Sequence, residues 1–394
     1  MKLDEKLIKK CQEIISINSV SGNEKNVASF IKETMDKLNY DKTWIDELGN
    51  VIGIIEGDGE KTILLQGHMD TVGVENPELW EHDPFGGNIV DGKIYGRGSS
   101  DMKSALMSMI FAGAALKNEK SNLKGNIAVA GVVHEEIFEG VAQGNVLDQL
   151  NPELVIIGES SRLKLCIGQR GRAEIQIKTA GKSAHSSNPE AGINAVKKMM
   201  ILLRKIEKIK LPADKFLGPA IMELTDILSR PYPGQSVIPE ECIVTFDRRL
   251  LPGETEDTVL KPVKDIIDKL KNQDKEFKAE VNIVEAEADT YTGGKITARR
   301  FFPGWAYKED APFVQKALRA LKENGFEGEI SHYSFCTDGS QSAGLRGIAT
   351  LGFGPSREDL AHVRDEYIEI DDIKEVYRAY IAILKEFLSG DGEK

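Results

Sequence analysis

The apolar positions change period several times along the chain, and each change predicts an element. Leu3, Leu7, Ile8, Cys11, Ile14 and Ile15 recur at helical spacing with charges between them, which predicts an amphipathic helix of the mature protein and not a signal peptide. "NVIGIIEG", "KTILLQGH", "GNIAVAGVVHEE" and "PELVIIGES" are short, nearly continuous apolar runs, the pattern of strands covered on both faces. "MKSALMSMIFAGAALKN" between them reads as a helix. This order of strand, helix and strand predicts an α/β fold, with a central mixed, mostly parallel sheet flanked by helices.

After Gly171 the pattern shifts. "RAEIQIKTAG" alternates apolar and polar residues at period two, so one face of that strand is wet. It is followed by the helix "INAVKKMMILLRKIEKI", the strands "AIMELTDILS" and "ECIVTFDRRL", the helix "TVLKPVKDIIDKLKN" and the strand "KAEVNIVEA". That succession is a compact α+β unit of the split-βαβ, ferredoxin-like type, predicted over residues 172–293. Beyond "TYTGGK" the α/β character returns, with helices at 310–324 and 371–388 and the strand "IATLGFG". The economical organisation is a discontinuous α/β domain, 1–171 with 294–394, carrying an inserted smaller domain.

A length of 394 residues is compatible with two cores. The net charge of −12, from 51 basic and 63 acidic residues, disfavours a nucleic-acid partner, and no basic cluster with interleaved aromatics reverses this. No apolar run approaches the length of a membrane span. Cys11, Cys166, Cys242 and Cys336 are scattered, with no CxxC pair, so neither a zinc ribbon nor a disulfide framework is indicated, and a reducing cytoplasm is the simplest setting.

The informative residues lie where strands stop. His68 and Asp70 follow "ILLQG"; Asp101 lies in "GRGSSDMKS"; Glu135 and Glu136 follow "AVAGVVH"; Glu159 follows "LVIIG"; His362 lies beyond "IATLGFG". In open α/β sheets that edge is where ligands bind. Two imidazoles and several carboxylates without a thiolate suit zinc, cobalt or manganese. With a bridging carboxylate, two ions about 3.5–4 Å apart can share a water and lower its pKa toward about 7. A free carboxylate can then act as general base. Adjacent strand-end residues point opposite ways, so one of Glu135 and Glu136 can bind metal while the other faces substrate. Singly, each residue has a plainer reading: a cap, a turn or a solvated charge, with Ser99 and Ser100 capping the following helix. The case rests on the convergence of five strand ends.

The string "GHMDTV…GRGSSDMKSA…EE…GES…GQRGR…GKSAHSS…DRRLLPGE…GFGP…AH…DEYI" resembles the M20 family of co-catalytic zinc hydrolases over nearly the whole chain and in motif order. That family includes carboxypeptidases, dipeptidases, aminoacylases, acetylornithine deacetylase and succinyl-diaminopimelate desuccinylase. "GQRGR", "FDRRL" and "HYSFCTDGS" are more similar to a subfamily labelled selenium-metabolism-linked hydrolases. The resemblance implies two Zn2+ ions, with Co2+ or Mn2+ as alternatives. It implies that His68 binds one and His362 the other, that Asp101 bridges them, and that Glu159 joins His68 and Glu136 joins His362. Glu135 is implied as the general base, and Asp70 as the hydrogen-bond partner that orients His68. His185 of "GKSAHSS" is implied to stabilise the oxyanion, in dimeric relatives from the partner subunit. Arg249 is implied to bind a substrate carboxylate. The inserted domain becomes a lid and dimerisation domain, and the Asp101–Met102 peptide is expected to be cis.

Relatives often read "NVIP" where this chain reads "SVIP", so Ser236 replaces an asparagine that helps hold substrate. Cys336 and Thr337 stand in a loop that is more often glycine-rich, and a buried structural role is expected for Cys336. His134 is a candidate support residue; His82 and His332 receive no role. In the family, Glu at position 159 accompanies deacylases and carboxypeptidases, which favours a substrate with a free carboxylate. The implied activity is amide hydrolysis in a small N-acyl amino acid or dipeptide-like molecule, by a cytoplasmic homodimer. The alternatives are a dipeptidase or carboxypeptidase and a non-catalytic metabolite-binding relative.

Overall fold

The computed structural model describes residues 3–119 and 122–389, which fall into two compact units. The first takes its residues from Met1–Gln169, Glu287–Thr297 and Trp305–Lys394, the second from Arg170–Ala286 and Ala298–Gly304. These bounds differ from the sequence expectation of 172–293 around the end of the insertion. Tyr291 donates its hydroxyl to the Gly49 carbonyl at 2.8 Å and Thr292 to that of Glu47 at 2.7 Å, which ties their stretch to the first unit. Phe301–Phe302 instead pairs antiparallel with Gly171–Ala180 and so extends the second unit's sheet.

The first unit is built on a nine-stranded mixed sheet. Its centre is parallel: Asn126–Val132, Thr62–His68, Leu154–Ile157 and Ala349–Gly352 lie side by side in that order. Lys42–Ile45 and Val51–Ile55 add antiparallel strands at one side, and Leu165–Gln169 one at the other. The nearly continuous apolar runs follow from cover on both faces. On one face Leu64, Ala128, Val155 and Ile157 pack with Val146 and Leu147 of helix Val141–Leu150. On the other, Gly67 and Gly131 leave room for Met102 and Leu106 at the start of helix Ser104–Asn118; a Cβ on Gly67 would lie 2.5 Å from Met102 Cε. Helix Ser104–Asn118 is buried almost throughout and packs on the C-terminal helix Ile370–Leu388. Among the described residues no helix is long and apolar enough to cross a membrane.

The second unit has the expected ferredoxin-like succession. Its antiparallel strands are ordered Ile221–Arg230, Glu241–Leu250, Gly171–Ala180, Lys278–Ile283. Ile175, Ile177, Val244 and Phe246 from the inner face bury Met199 and Leu202 of helix Ala195–Ile206 and Val263 and Ile267 of helix Glu256–Gln273. The edge strand Ile221–Arg230 is different. Ile221, Leu224, Ile227 and Leu228 are exposed on it, an apolar surface that a free edge normally avoids.

Candidate metal centre

All the metal-ligand candidates belong to the first unit, and it brings them together. His68 closes its strand, so its imidazole stands at the C-terminal edge of the parallel centre. Glu159 follows Leu154–Ile157 by two residues, and His362, at a positive φ of 60°, lies in the loop after Ala349–Gly352. Asp101 departs from the pattern. It follows a separate three-stranded sheet, Asn88–Val90, Lys93–Tyr95 and Tyr367–Glu369, and sits in an irregular turn before helix Ser104–Asn118. The Asp101–Met102 peptide is cis.

Asp101 connects the two imidazoles. Its Oδ1 lies 2.9 Å from His68 Nε2 and its Oδ2 3.3 Å from His362 Nε2. Glu159 Oε1 approaches His68 Nε2 at 3.5 Å, and Glu136 Oε2 approaches His362 Nε2 at 2.9 Å. Ligand atoms of His68, Glu135 and Glu159 lie within 4.8 Å of one another, as do those of His68, Asp101 and Glu136. Glu135 and Glu136 therefore join different clusters that share His68, but strand pleating is not the cause, because their strand ends at Val132. The cause is a turn at His134, φ 57°, and the carboxylate of Asp70. Asp70 Oδ1 accepts the Glu135 N–H at 3.1 Å, and Oδ2 accepts the Glu136 N–H at 3.2 Å and the Ser21 hydroxyl at 2.7 Å.

Asp70 lies beside His68, as the resemblance implies, and reaches it with both main chain and side chain. His68 Nδ1 meets the Asp70 backbone carbonyl at 2.9 Å, while the nearest Asp70 carboxylate oxygen is 3.6 Å away. The main chain makes the closer contact with His68, and the side chain also shapes the Glu135–Glu136 turn.

The donor set fits divalent cations. Burial first, then neighbouring carboxylates, hold Glu135 and Glu159 well above the usual carboxylate range despite His68 nearby. His362 is pushed up to about 10 by its hydrogen bonds to Asp101 and Glu136. Acids so crowded in a buried space call for positive charge, and hard oxygen donors with two imidazoles suit zinc-like ions.

Three supporting residues were not singled out in the sequence. Glu366 is fully buried; its Oε1 accepts from the N–H of Ser100 at 2.8 Å and of Asp101 at 3.1 Å, and its Oε2 from Arg97 at 2.6 Å. Asp338, buried and pushed by burial up to about 7, accepts from Gln66 and from the Gly140 N–H. Lys103, which helical spacing alone leaves as a surface charge, is wholly buried and donates to the Ile17 carbonyl at 2.7 Å. Gly354 permits the close approach of two ligand loops, since a Cβ there would lie 2.2 Å from the carbonyl oxygens of Gly158 and Glu159. Gly354→Ala is expected to cost about 1–3 kcal/mol by overpacking, read as a lowered melting temperature; an unchanged melt would contradict this packing.

The expected oxyanion and substrate residues His185, Ser236 and Arg249 lie in the second unit, and His82, His134 and Cys336 in the first. His185 is exposed and its Nδ1 accepts from the Ser187 hydroxyl at 2.7 Å. The Ser236 carbonyl accepts the Ser186 N–H at 2.8 Å, so Ser236 and His185 occupy adjoining segments. Arg249 stands on Glu241–Leu250, half-buried, with its Nε 2.8 Å from Asp247. His134 Nε2 lies 3.2 Å from the Asp289 carbonyl, and Cys336 is buried. His82 stacks on Tyr95 at 3.9 Å between ring centroids.

Comparison with known proteins gives a consistent set of likenesses. Residues 64–386 match the family described as Peptidase family M20/M25/M40. The Escherichia coli K12 protein named "Uncharacterized protein YgeY" is 34% identical over 365 residues, covering 90% of this chain and 88% of that protein. The acetylornithine deacetylase of Buchnera aphidicola subsp. Schizaphis graminum is 27% identical over 342 residues, 84% of this chain and 82% of that one. Among solved structures, the M20 family metallo-carboxypeptidase Sso-CP2 from Sulfolobus solfataricus has the same fold, with a TM-score of 0.76 at 19% identity over 98% of this chain and 99% of that chain.

Proposed function

Because this chain belongs to peptidase family M20/M25/M40, we propose that it is a two-metal amidohydrolase that cleaves a small N-acyl amino acid or dipeptide-like molecule. The observation that carries the reading is Asp101, which touches both imidazoles while each imidazole has its own second carboxylate. Zinc is the ion we favour, with cobalt or manganese as substitutes, since the donors are oxygen and imidazole nitrogen.

Bound ions supply Lewis acidity toward the scissile carbonyl and the attacking water. The protein's own part begins with Glu135, held beside His68 and Glu159 by its N–H bond to Asp70. Glu135 takes the proton of the attacking water at its carboxylate and returns it to the leaving nitrogen. Asp70 acts through the backbone of the turn, keeping Glu135 and Glu136 apart. His185 donates a hydrogen bond to the developing oxyanion. Arg249 binds the substrate's carboxylate with its guanidinium fork, its Nε already held by Asp247. Ser236, beside the His185 segment, shapes the substrate pocket.

Arg249→Ala is expected to raise KM about tenfold or more with little change in kcat, since a hydrogen bond to a charged group is worth roughly 1.5–3 kcal/mol. Steady-state kinetics on a carboxylate-bearing substrate reads this; an unchanged KM removes Arg249 from the binding site.

The exposed apolar edge strand Ile221–Arg230 supports a homodimer formed through the inserted unit. The four buried free cysteines accord with a cytoplasmic setting. Deacylase and dipeptidase readings separate on a substrate panel. N-acetyl and N-succinyl amino acids are expected to turn over faster than unblocked dipeptides. Faster dipeptide cleavage would make the protein a peptidase, and hydrolysis of neither class would defeat the proposal.

A further inference from the structure

Ser100 immediately precedes Asp101 and is almost wholly buried. Its type and position suggest a helix cap, but neither the 99–103 turn nor helix Ser104–Asn118 has a side-chain cap. Each of its polar groups instead goes to a residue near another ligand candidate. The N–H donates to Glu366 Oε1 at 2.8 Å, the carbonyl accepts from Ser160 Oγ at 3.2 Å, and the hydroxyl meets Ser356 Oγ at 2.5 Å. Ser160 follows Glu159, while Ser356 and Glu366 bracket the segment that carries His362. Ser160, Ser356 and Glu366 are buried as well. Ser356 holds a positive φ of 63°, and its carbonyl accepts the Arg162 N–H at 2.8 Å, so the Glu159 and His362 stretches also meet directly.

We infer that Ser100 is a positioning residue that couples the two metal positions, an inference that rests on the two-ion reading above. The Glu159 and His362 stretches leave paired strands, but Asp101 sits in an irregular turn that no ladder holds against either of them. Ligand placement within about 0.5 Å is what a working metal site requires. The contacts of Ser100 tie the Asp101 turn to both stretches from a single residue: Ser356 and Glu366 hold it to the His362 side, and Ser160 to the Glu159 side. Removing the Ser100 hydroxyl leaves that of Ser356 buried without this partner, and the His362 segment relaxes away from Asp101.

The test is titration of the metal-depleted full chain with Co2+, followed by calorimetry and visible absorption. The parent chain is expected to show two steps, and His362→Ala identifies the step that belongs to His362 by removing it. Ser100→Ala and Ser356→Ala are each expected to weaken that step about tenfold, the lower end of the range for residues that support ligands. The double variant is expected to be no weaker than either single one, because both delete the same bond. Ser160→Ala is expected to weaken the other step. A parent chain that binds only one ion overturns the two-ion reading and the coupling with it. Two parent steps that stay unchanged in the variants, even with lowered melting temperatures, overturn the coupling alone. Should Ser100→Ala fail to fold, Ser356→Ala reads the same hydrogen bond.

Discussion

Glu135→Gln is expected to retain metal and to lose about 10²–10⁴-fold in turnover, the usual contribution of a general base. The amide keeps the size of the carboxylate and the backbone bond to Asp70, so the Glu135–Glu136 turn stays in place. What is lost is the ability to take a proton. Glu135 is buried among Glu136, Glu159 and Asp338, and its pKa is raised by that burial and by those neighbours. Glutamine matches glutamate in size, so stability is expected to hold while kcat collapses. Measuring metal content, melting temperature and kcat on one preparation separates these effects. Full turnover in Glu135→Gln would remove it as the base.

Asp101→Asn is expected to be as damaging for a different reason. Asp101 is the carboxylate that reaches both imidazoles, at 2.9 Å and 3.3 Å. The amide offers one oxygen and no charge, so it cannot serve two cations. The loss in metal affinity is expected to exceed about a hundredfold, the upper range seen for residues that only support ligands. Metal content is expected to fall from two ions per chain to one or none, with activity falling alongside. An Asp101→Asn chain that still holds two tightly bound ions would move the bridge elsewhere.

Much of this site was legible in the sequence because apolar runs ended in hard ligands. His68 and Glu159 stand where the runs "ILLQG" and "LVIIG" stop, and the sheet order places those strands side by side. Asp101 and His362 were also picked out as candidates near strand ends, but that placement was loose, and only the motif resemblance gave them roles. One follows a small separate sheet, and the other lies well into a loop, where no period constrains position. The supports were harder to read. Glu366 and Lys103 look like surface charges in a linear pattern, and only the folded chain shows them buried against backbone groups distant in sequence. Asp70 was placed beside His68, but its second task, holding the Glu135 and Glu136 N–H groups, was not legible. A residue two positions from His68 can reach it with its carbonyl as readily as with its side chain. The insertion's boundaries were blurred because "TYTGGK" reads as a linker, while its Tyr291 and Thr292 hydrogen-bond to a distant loop.

The most direct measurement is the dependence of amide hydrolysis on metal loading. Metal-depleted protein is titrated with Zn2+ while metal content and cleavage of an N-acyl amino acid are followed together. The expected result is no hydrolysis without metal and activity that rises to its maximum as two ions bind per chain. Full hydrolysis by the depleted protein, or two bound ions without cleavage of any N-acyl amino acid or dipeptide, would contradict a two-metal amidohydrolase.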